Sequence, residues 1–190
     1  DPIASELPTM TNLVGNETLT LSGNGVVENA NVGNNKPLTN LSGLTLQDGS
    51  NGGLAINYTL SGGLSSITIT PRILSLDGSR IYDGTTNVNS SDLTISNLVG
   101  SETISLSGFG TVVSENVGTN KVVSINTLRL TDGSGSASNY TLTGGAHTYD
   151  VTSRVVTYSG TKVYDGTTSV NGSELTTISN LAAGESLSIS

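Results

Sequence analysis

The chain has no cysteine and no tryptophan, one histidine, one phenylalanine and four prolines. Without cysteine there is no disulfide framework, no thiolate nucleophile and no zinc knuckle. A single histidine leaves no His-rich metal site and little room for triad chemistry. Basic residues are scarce, 7 against 15 acidic, for a net charge of −8. That balance argues against a nucleic-acid partner, because phosphates require a basic footprint. No apolar run approaches the roughly 18 residues of a membrane-spanning helix. The first residues, Asp1-Pro2-Ile3-Ala4, carry no secretion-signal pattern and read as an internal cut. No cofactor is expected.

What is abundant is small and polar. Gly, Ser, Thr and Asn make up 98 of the 190 residues. This is not a disordered composition, because the apolar residues are patterned and mean hydropathy is −0.02. Thr18-Leu19-Thr20-Leu21, Ile67-Thr68-Ile69-Thr70 and Thr103-Ile104-Ser105-Leu106 alternate with period two, as half-buried strands do. Asp-Gly, Gly-Gly and Asn-rich clusters interrupt the alternation as turns should. The whole chain reads as β.

The chain also repeats itself. Residues 12–36 align with 97–121 without a gap, with 16 identities in 25 positions. Asn57-Tyr58-Thr59-Leu60 returns as Asn139-Tyr140-Thr141-Leu142. Tyr82-Asp83-Gly84-Thr85-Thr86 returns as Tyr164-Asp165-Gly166-Thr167-Thr168. The period of 82 to 85 residues exceeds a solenoid coil and can bury a modest core. The expected organisation is an incomplete unit over 1–71 lacking its first strand, a complete unit over 72–153, and the beginning of another over 154–190. Strands are expected near 73–82, 93–98, 103–108, 110–114, 121–130, 139–143 and 147–156. Their number and spacing suggest small Ig-like β-sandwiches in an elongated tandem array. A β-grasp unit is the alternative, but its helix has only Ser134 to Asn139 to draw on.

The ordered set of Tyr82-Asp83-Gly84-Thr85-Thr86, Asn116-Val117-Gly118 and Asn139-Tyr140 resembles the YDG repeat domain of large bacterial surface proteins. The resemblance implies a filamentous-haemagglutinin-like or autotransported adhesin, carrying such domains along a stalk outside the cell. The family's usual Gly-Ala-Asp-Ala-Gly-Asn-Tyr turn is replaced here by residues 132–140.

Read physically, Tyr82 ends a strand and Asp83-Gly84 turns the chain. Glycine reaches positive φ cheaply, and the aspartate can accept from Thr85 or Thr86 in an Asx-turn. A buried Tyr ring would anchor the turn. The pentapeptide reads as a structural corner rather than a binding loop. Asp48, Asp77 and Asp132 each begin an Asp-Gly-Ser turn, but a calcium site needs several carboxylates, and Ser159 replaces Asp77 in the next copy. His147 is read as an exposed strand residue, since its counterpart is Ser65. Glu17, Glu102 and Glu185 recur singly, as charge at a strand start. Lys36 and Lys121 could form an isopeptide cross-link only if an Asp or Asn side chain lay beside them.

No catalytic, cofactor-binding or metal residues emerge, and an enzyme is not expected. The first functional expectation is a structural stalk or fibre segment of a long secreted bacterial surface adhesin or extracellular matrix protein. Its partners would be neighbouring repeats or copies of itself, self-assembling head to tail by strand complementation at the open edge of residues 1–71. A cell-surface or matrix partner would bind other parts of the full protein. The second is a repeated glycan- or host-protein-binding module acting by avidity. The lack of aromatic platforms favours the first.

Overall fold

A computed structural model describes residues 10–63 and 65–188. Among them there is no α-helix; strands are joined by turns and by single 3₁₀ turns. The chain divides into two compact units, Asp1–Arg72 and Ile73–Ser190.

In the first unit, β1 (Leu19–Gly23), β2 (Val26–Val27), β3 (Gly33–Asn40), β4 (Leu44–Asp48) and β5 (Ser66–Ile69) form two small antiparallel sheets. β1 pairs with β4, and β3 lies between β2 and β5. β6 (Arg72–Ile73) straddles the division.

The second unit contains β7 (Ser75–Ile81), β8 (Asn87–Asn89), β9 (Leu93–Ser96), β10 (Ile104–Ser107), β11 (Phe109–Val112), β12 (Gly118–Ser124), β13 (Arg129–Asp132), β14 (Tyr140–Thr141) and β15 (His147–Thr152). Beyond them lie β16 (Thr157–Ser159) and β17 (Thr177–Ser179), which pair with each other. The main sheet has the order β8-β11-β12-β15-β7-β9 and curls into a half-barrel. Within it β7 and β15 run parallel, with Leu76 opposite His147 and Arg80 opposite Val151. β10 pairs with β13 in a separate sheet. Leu74, Leu76, Val88, Leu128, Tyr149 and Val151 are the most deeply buried side chains of the core between them.

The expected strands need three adjustments. The run 121–130 is two strands, because Asn126 adopts φ 35° and the Leu128 N–H closes a turn on the Ile125 carbonyl at 2.7 Å. The alternation of Val-Val-Ser-Ile-Asn-Thr-Leu carries straight through that turn and conceals it. β8 is an additional strand: its three residues are too short for alternation to register, yet Val88 is fully buried. β15 ends at Thr152 rather than running to 156.

His147 is also corrected. It is only 9% exposed, and its Nε2 lies 2.8 Å from the Leu142 carbonyl. β15 alternates His147, Tyr149 and Val151 inward, so strand periodicity puts the histidine on the core face. Its replacement by serine in the other repeat suggests a surface position that it does not have.

Candidate functional site

The Tyr-Asp-Gly corner follows directly from β7. The Tyr82 N–H donates to the Thr152 carbonyl at 2.8 Å, extending the parallel pairing by one step. Asp83 then turns back: its Oδ1 accepts from the Thr85 N–H and the Thr85 hydroxyl, both at 2.9 Å. Gly84 takes φ 77°, the left-handed region in which a Cβ is unfavourable. The Thr86 carbonyl accepts from the Val112 N–H at 2.9 Å, tying the end of the corner to β11. Tyr82 is half-buried and packs against the core, and its hydroxyl donates to the Glu185 carboxylate.

A basic residue that sequence reasoning passes over closes this corner. Arg80 Nε lies 3.2 Å from Asp83 Oδ1. The same guanidinium donates to the Thr85 and Asn87 carbonyls and stands 5.7 Å from the centre of the Tyr149 ring. The next copy repeats the device with a lysine. Lys162 Nζ lies 3.0 Å from Asp165 Oδ1, bonds the Thr167 hydroxyl at 2.8 Å and reaches the Ser169 carbonyl. Asp165 accepts from the Thr167 N–H and hydroxyl at 2.9 Å, and Gly166 takes φ 76°. Tyr164 is exposed there, unlike Tyr82, and so is Thr168. The signal is present in the sequence: a cation stands three positions before each Asp.

These contacts set the charge of both corners. At Asp83 partial burial pushes the carboxyl upward, but hydrogen bonds from Thr85 and the charge of Arg80 outweigh it and hold the group below 3.8. At Asp165 the Thr167 N–H, then Lys162 and the Thr167 hydroxyl, act in the same direction.

Asn116, Val117 and Gly118 lie at the same end of the sheet, since Gly118 opens β12 opposite Val151. The stretch makes a β-bulge: the register shifts between Gly118 and Lys121, with Asn120 at φ 51°. The first unit repeats it between Gly33 and Lys36, with Asn35 at φ 52°. Asparagine tolerates this backbone better than most residues, which accounts for Asn-Lys recurring at the position. The bulge aims the lysine at a loop. Lys36 Nζ bonds the Asn29 carbonyl at 2.7 Å, Asn29 Oδ1 at 2.6 Å and the Asn31 carbonyl at 2.6 Å. Lys121 Nζ bonds the Ser114 carbonyl at 3.1 Å. Ser114 occupies the place of Asn29, so Lys121 does not have at that position the amide side chain that Lys36 bonds.

Asn139 and Tyr140 belong elsewhere, near the start of β7, where the Leu74 N–H donates to the Thr141 carbonyl at 2.9 Å. The Tyr140 hydroxyl donates to the Glu102 carboxylate and accepts from the Val99 N–H at 3.2 Å. Tyr58 makes the same pair of bonds, to Glu17 and, at 3.0 Å, from Val14. Bonding to Glu17 is the leading cause that raises the Tyr58 hydroxyl above its usual pKa. The recurring glutamates are therefore latches for recurring tyrosines, a partnership that their separate recurrence in the sequence does not suggest. Asp48 and Asp132 likewise accept, each at 2.7 Å, from the N–H of Ala55 and Ala137 at the start of 3₁₀ turns.

The structure thus brings the Tyr-Asp-Gly corner and the Asn-Val-Gly bulge to one end of the sheet and sets the Asn-Tyr latch at the other. No curated protein and no solved structure matches the chain. Residues 3–69 and 65–149 each match the YDG domain, and with its three motifs in these positions the chain belongs to the YDG domain family.

Proposed function

We propose that these repeats are a stalk or fibre segment of a long secreted bacterial surface adhesin or extracellular matrix protein, acting outside the cell in adhesion or biofilm. In this reading each complete repeat is a small Ig-like β-sandwich, and the repeats are strung in an extended array. The observation that carries it is where the repeated polar side chains go. Arg80 and Lys162, Asp83 and Asp165, Lys36 and Lys121, and Glu17 and Glu102 all engage the chain's own carbonyls, N–H groups or tyrosines. Residues repeated to bind a ligand would point their donors and acceptors outward; residues repeated to hold a scaffold point them at their own backbone. Net acidity adds solubility and discourages nonspecific contact with anionic cell surfaces.

Head-to-tail assembly belongs to the same reading. Among the described residues β5 pairs only with β3, whereas its counterpart β15 is paired on both sides, so β5 offers an edge for strand addition.

The test is a glycan and extracellular-matrix protein array probed with the 190-residue chain. The expected result is no saturable binding. Saturable binding that scales with repeat number would replace the stalk with the avidity module.

A further inference from the structure

The Tyr-Asp-Gly corner lies against residues of the following repeat. Three contacts join it to the stretch 154–185, and all lie within the second unit. The Arg154 guanidinium donates to the Tyr82 carbonyl at 3.1 Å, and it also holds Asn180 through its carbonyl at 2.8 Å and its Oδ1 at 3.2 Å. The Tyr82 hydroxyl donates to Glu185. Ala182, only 5% exposed, lies beside Gly84: a Cβ at that glycine would stand 3.6 Å from the alanine methyl. We propose that the corner is the socket by which one repeat docks the next, and that its ligand is the Asn-Leu-x-x-x-Glu turn of the following repeat, here Asn180 to Glu185.

The neighbouring copies of that turn fit the role. Asn180 corresponds to Asn97 and Asn12, and all three take left-handed backbone, with φ 65°, 73° and 66°. The Asn180 side chain ties the turn to the segment that leads into β16 through the Val155 carbonyl at 2.6 Å, as Asn97 ties its turn to the end of β6 through the Ile73 carbonyl at 2.7 Å. The turn is therefore shaped within its own repeat before it meets a corner. Val99 stands at the position of Ala182 and is 50% exposed, an apolar side chain presented where Ala182 is covered by a corner.

The glutamate can serve both repeats. Glu102 already accepts from Tyr140 of its own repeat, and a carboxylate has about four acceptor positions on two oxygens. Glu185 is the same residue of the next repeat and accepts from Tyr82 of the preceding one. One carboxylate per repeat can thus receive the repeat's own latch tyrosine and the preceding repeat's corner tyrosine. The bond to Glu185 is the leading cause that raises the Tyr82 hydroxyl above its usual pKa.

This inference rests on the array reading, but its test is independent of ligand binding. Hydrogen exchange by mass spectrometry is measured on the full 190-residue chain and on its Tyr82→Phe, Glu185→Ala and doubly substituted forms. Glu102→Ala is the control that breaks only a latch inside one repeat. Each single change should speed exchange across 157–185 by about three- to tenfold, the effect of losing one hydrogen bond. β10, β12 and β15 should be unaffected, and the double variant should be no faster than the faster single one. Glu102→Ala should instead speed exchange around Val99 and Tyr140. Unchanged exchange across 157–185 in Tyr82→Phe would overturn the proposal. So would equal acceleration of β12 and β15, which would make the corner internal to its own repeat, or fully additive single effects. Array binding by the unsubstituted chain would overturn the stalk and leave this result standing.

Discussion

The Tyr–Glu latch is built twice, on the same two bonds, in surroundings of unequal depth. Tyr140 is buried in a core closed on both sides of β15, by β12 and by β7. Tyr58 is half-buried beside a cavity of about 240 Å³ lined by Leu19, Leu21, Leu38, Leu44 and Leu46. In the second unit Leu74 and Leu76, on and before β7, fill the interior; among the described residues of the first unit no strand stands in that place. The Tyr-Asp-Gly corner teaches the same lesson. Its Asx-turn and its basic clamp form equally around Asp83, over a packed core, and around Asp165, where Tyr164 is 93% exposed. Motif geometry in this family is local, and burial is the part that needs a whole repeat.

The sharpest way to break that distinction is to remove the same core position from two copies. Leu76 is fully buried, whereas its counterpart Tyr158 is 62% exposed. Leu76→Ala should cost about 2–5 kcal/mol in chemical denaturation of the second unit. Tyr158→Ala should stay within about 0.5 kcal/mol. Comparable losses would mean that 154–188 has a core of its own.

The next largest effect concerns His147, the position where sequence and structure part most clearly. His147→Ala removes a buried ring and its bond to the Leu142 carbonyl, which keeps only the Gly145 N–H at 3.1 Å, at a cost of about 1–3 kcal/mol. At Ser65, its counterpart in the first unit, the Leu38 N–H bonds the serine's main-chain carbonyl at 2.9 Å, a contact that Ser65→Ala keeps. That change should be nearly silent, and thermal melts of the two variants check the contrast. Gly84→Val comes third: a β-branched residue at φ 77° should cost about 1–2 kcal/mol, and its methyls would meet Ala182. Gly166→Val carries the same strain at φ 76° with nothing within 4 Å, so it should cost less. Equal melting shifts would remove Ala182 from the account.

Much of this is legible in the residues. Period-two alternation and Asp-Gly and Asn turns give an all-β chain, and repetition gives three motifs whose positions the structure now occupies. The failures share one cause. Alternation reports which way a side chain points only if the strand's inner face is known, so His147 reads as exposed although Tyr149 and Val151 beside it go in. Pairing across the repeat is invisible to local pattern: Glu102 and Tyr140 stand 38 residues apart, and the pairing of β10 with β13, Ile104 opposite Asp132, brings the chain before β10 beside the loop that leads to β14. Arg80 escapes notice because a lone basic residue on a strand ordinarily reads as solvated surface, and only its recurrence as Lys162 shows that the position requires a cation.

The smallest expected effect separates the two corners by acid. Asp83 and Asp165 are both held below 3.8. A carboxyl whose pKa is lower folded than unfolded adds stability above its unfolded value and loses it as pH falls through its folded value. Both corners are therefore fully supported at neutral pH and loosen below 3.8. Protonation has different consequences at the two. Arg80 lies over Tyr149, so freeing it from Asp83 should disturb signals of β15 inside the core. Among the described residues Lys162 bonds residues of its own loop, so protonating Asp165 should move Thr167 and Ser169 and little else. An NMR titration over about pH 2–6, spanning the ordinary carboxyl range, should show the Thr85 and Thr167 amides both titrating, with β15 following Thr85 alone. Asp83→Asn should flatten the Thr85 and β15 curves and leave Thr167 unchanged. If β15 moved with Thr167 instead, the two corners would not be the independent local devices that their separate hydrogen bonds describe.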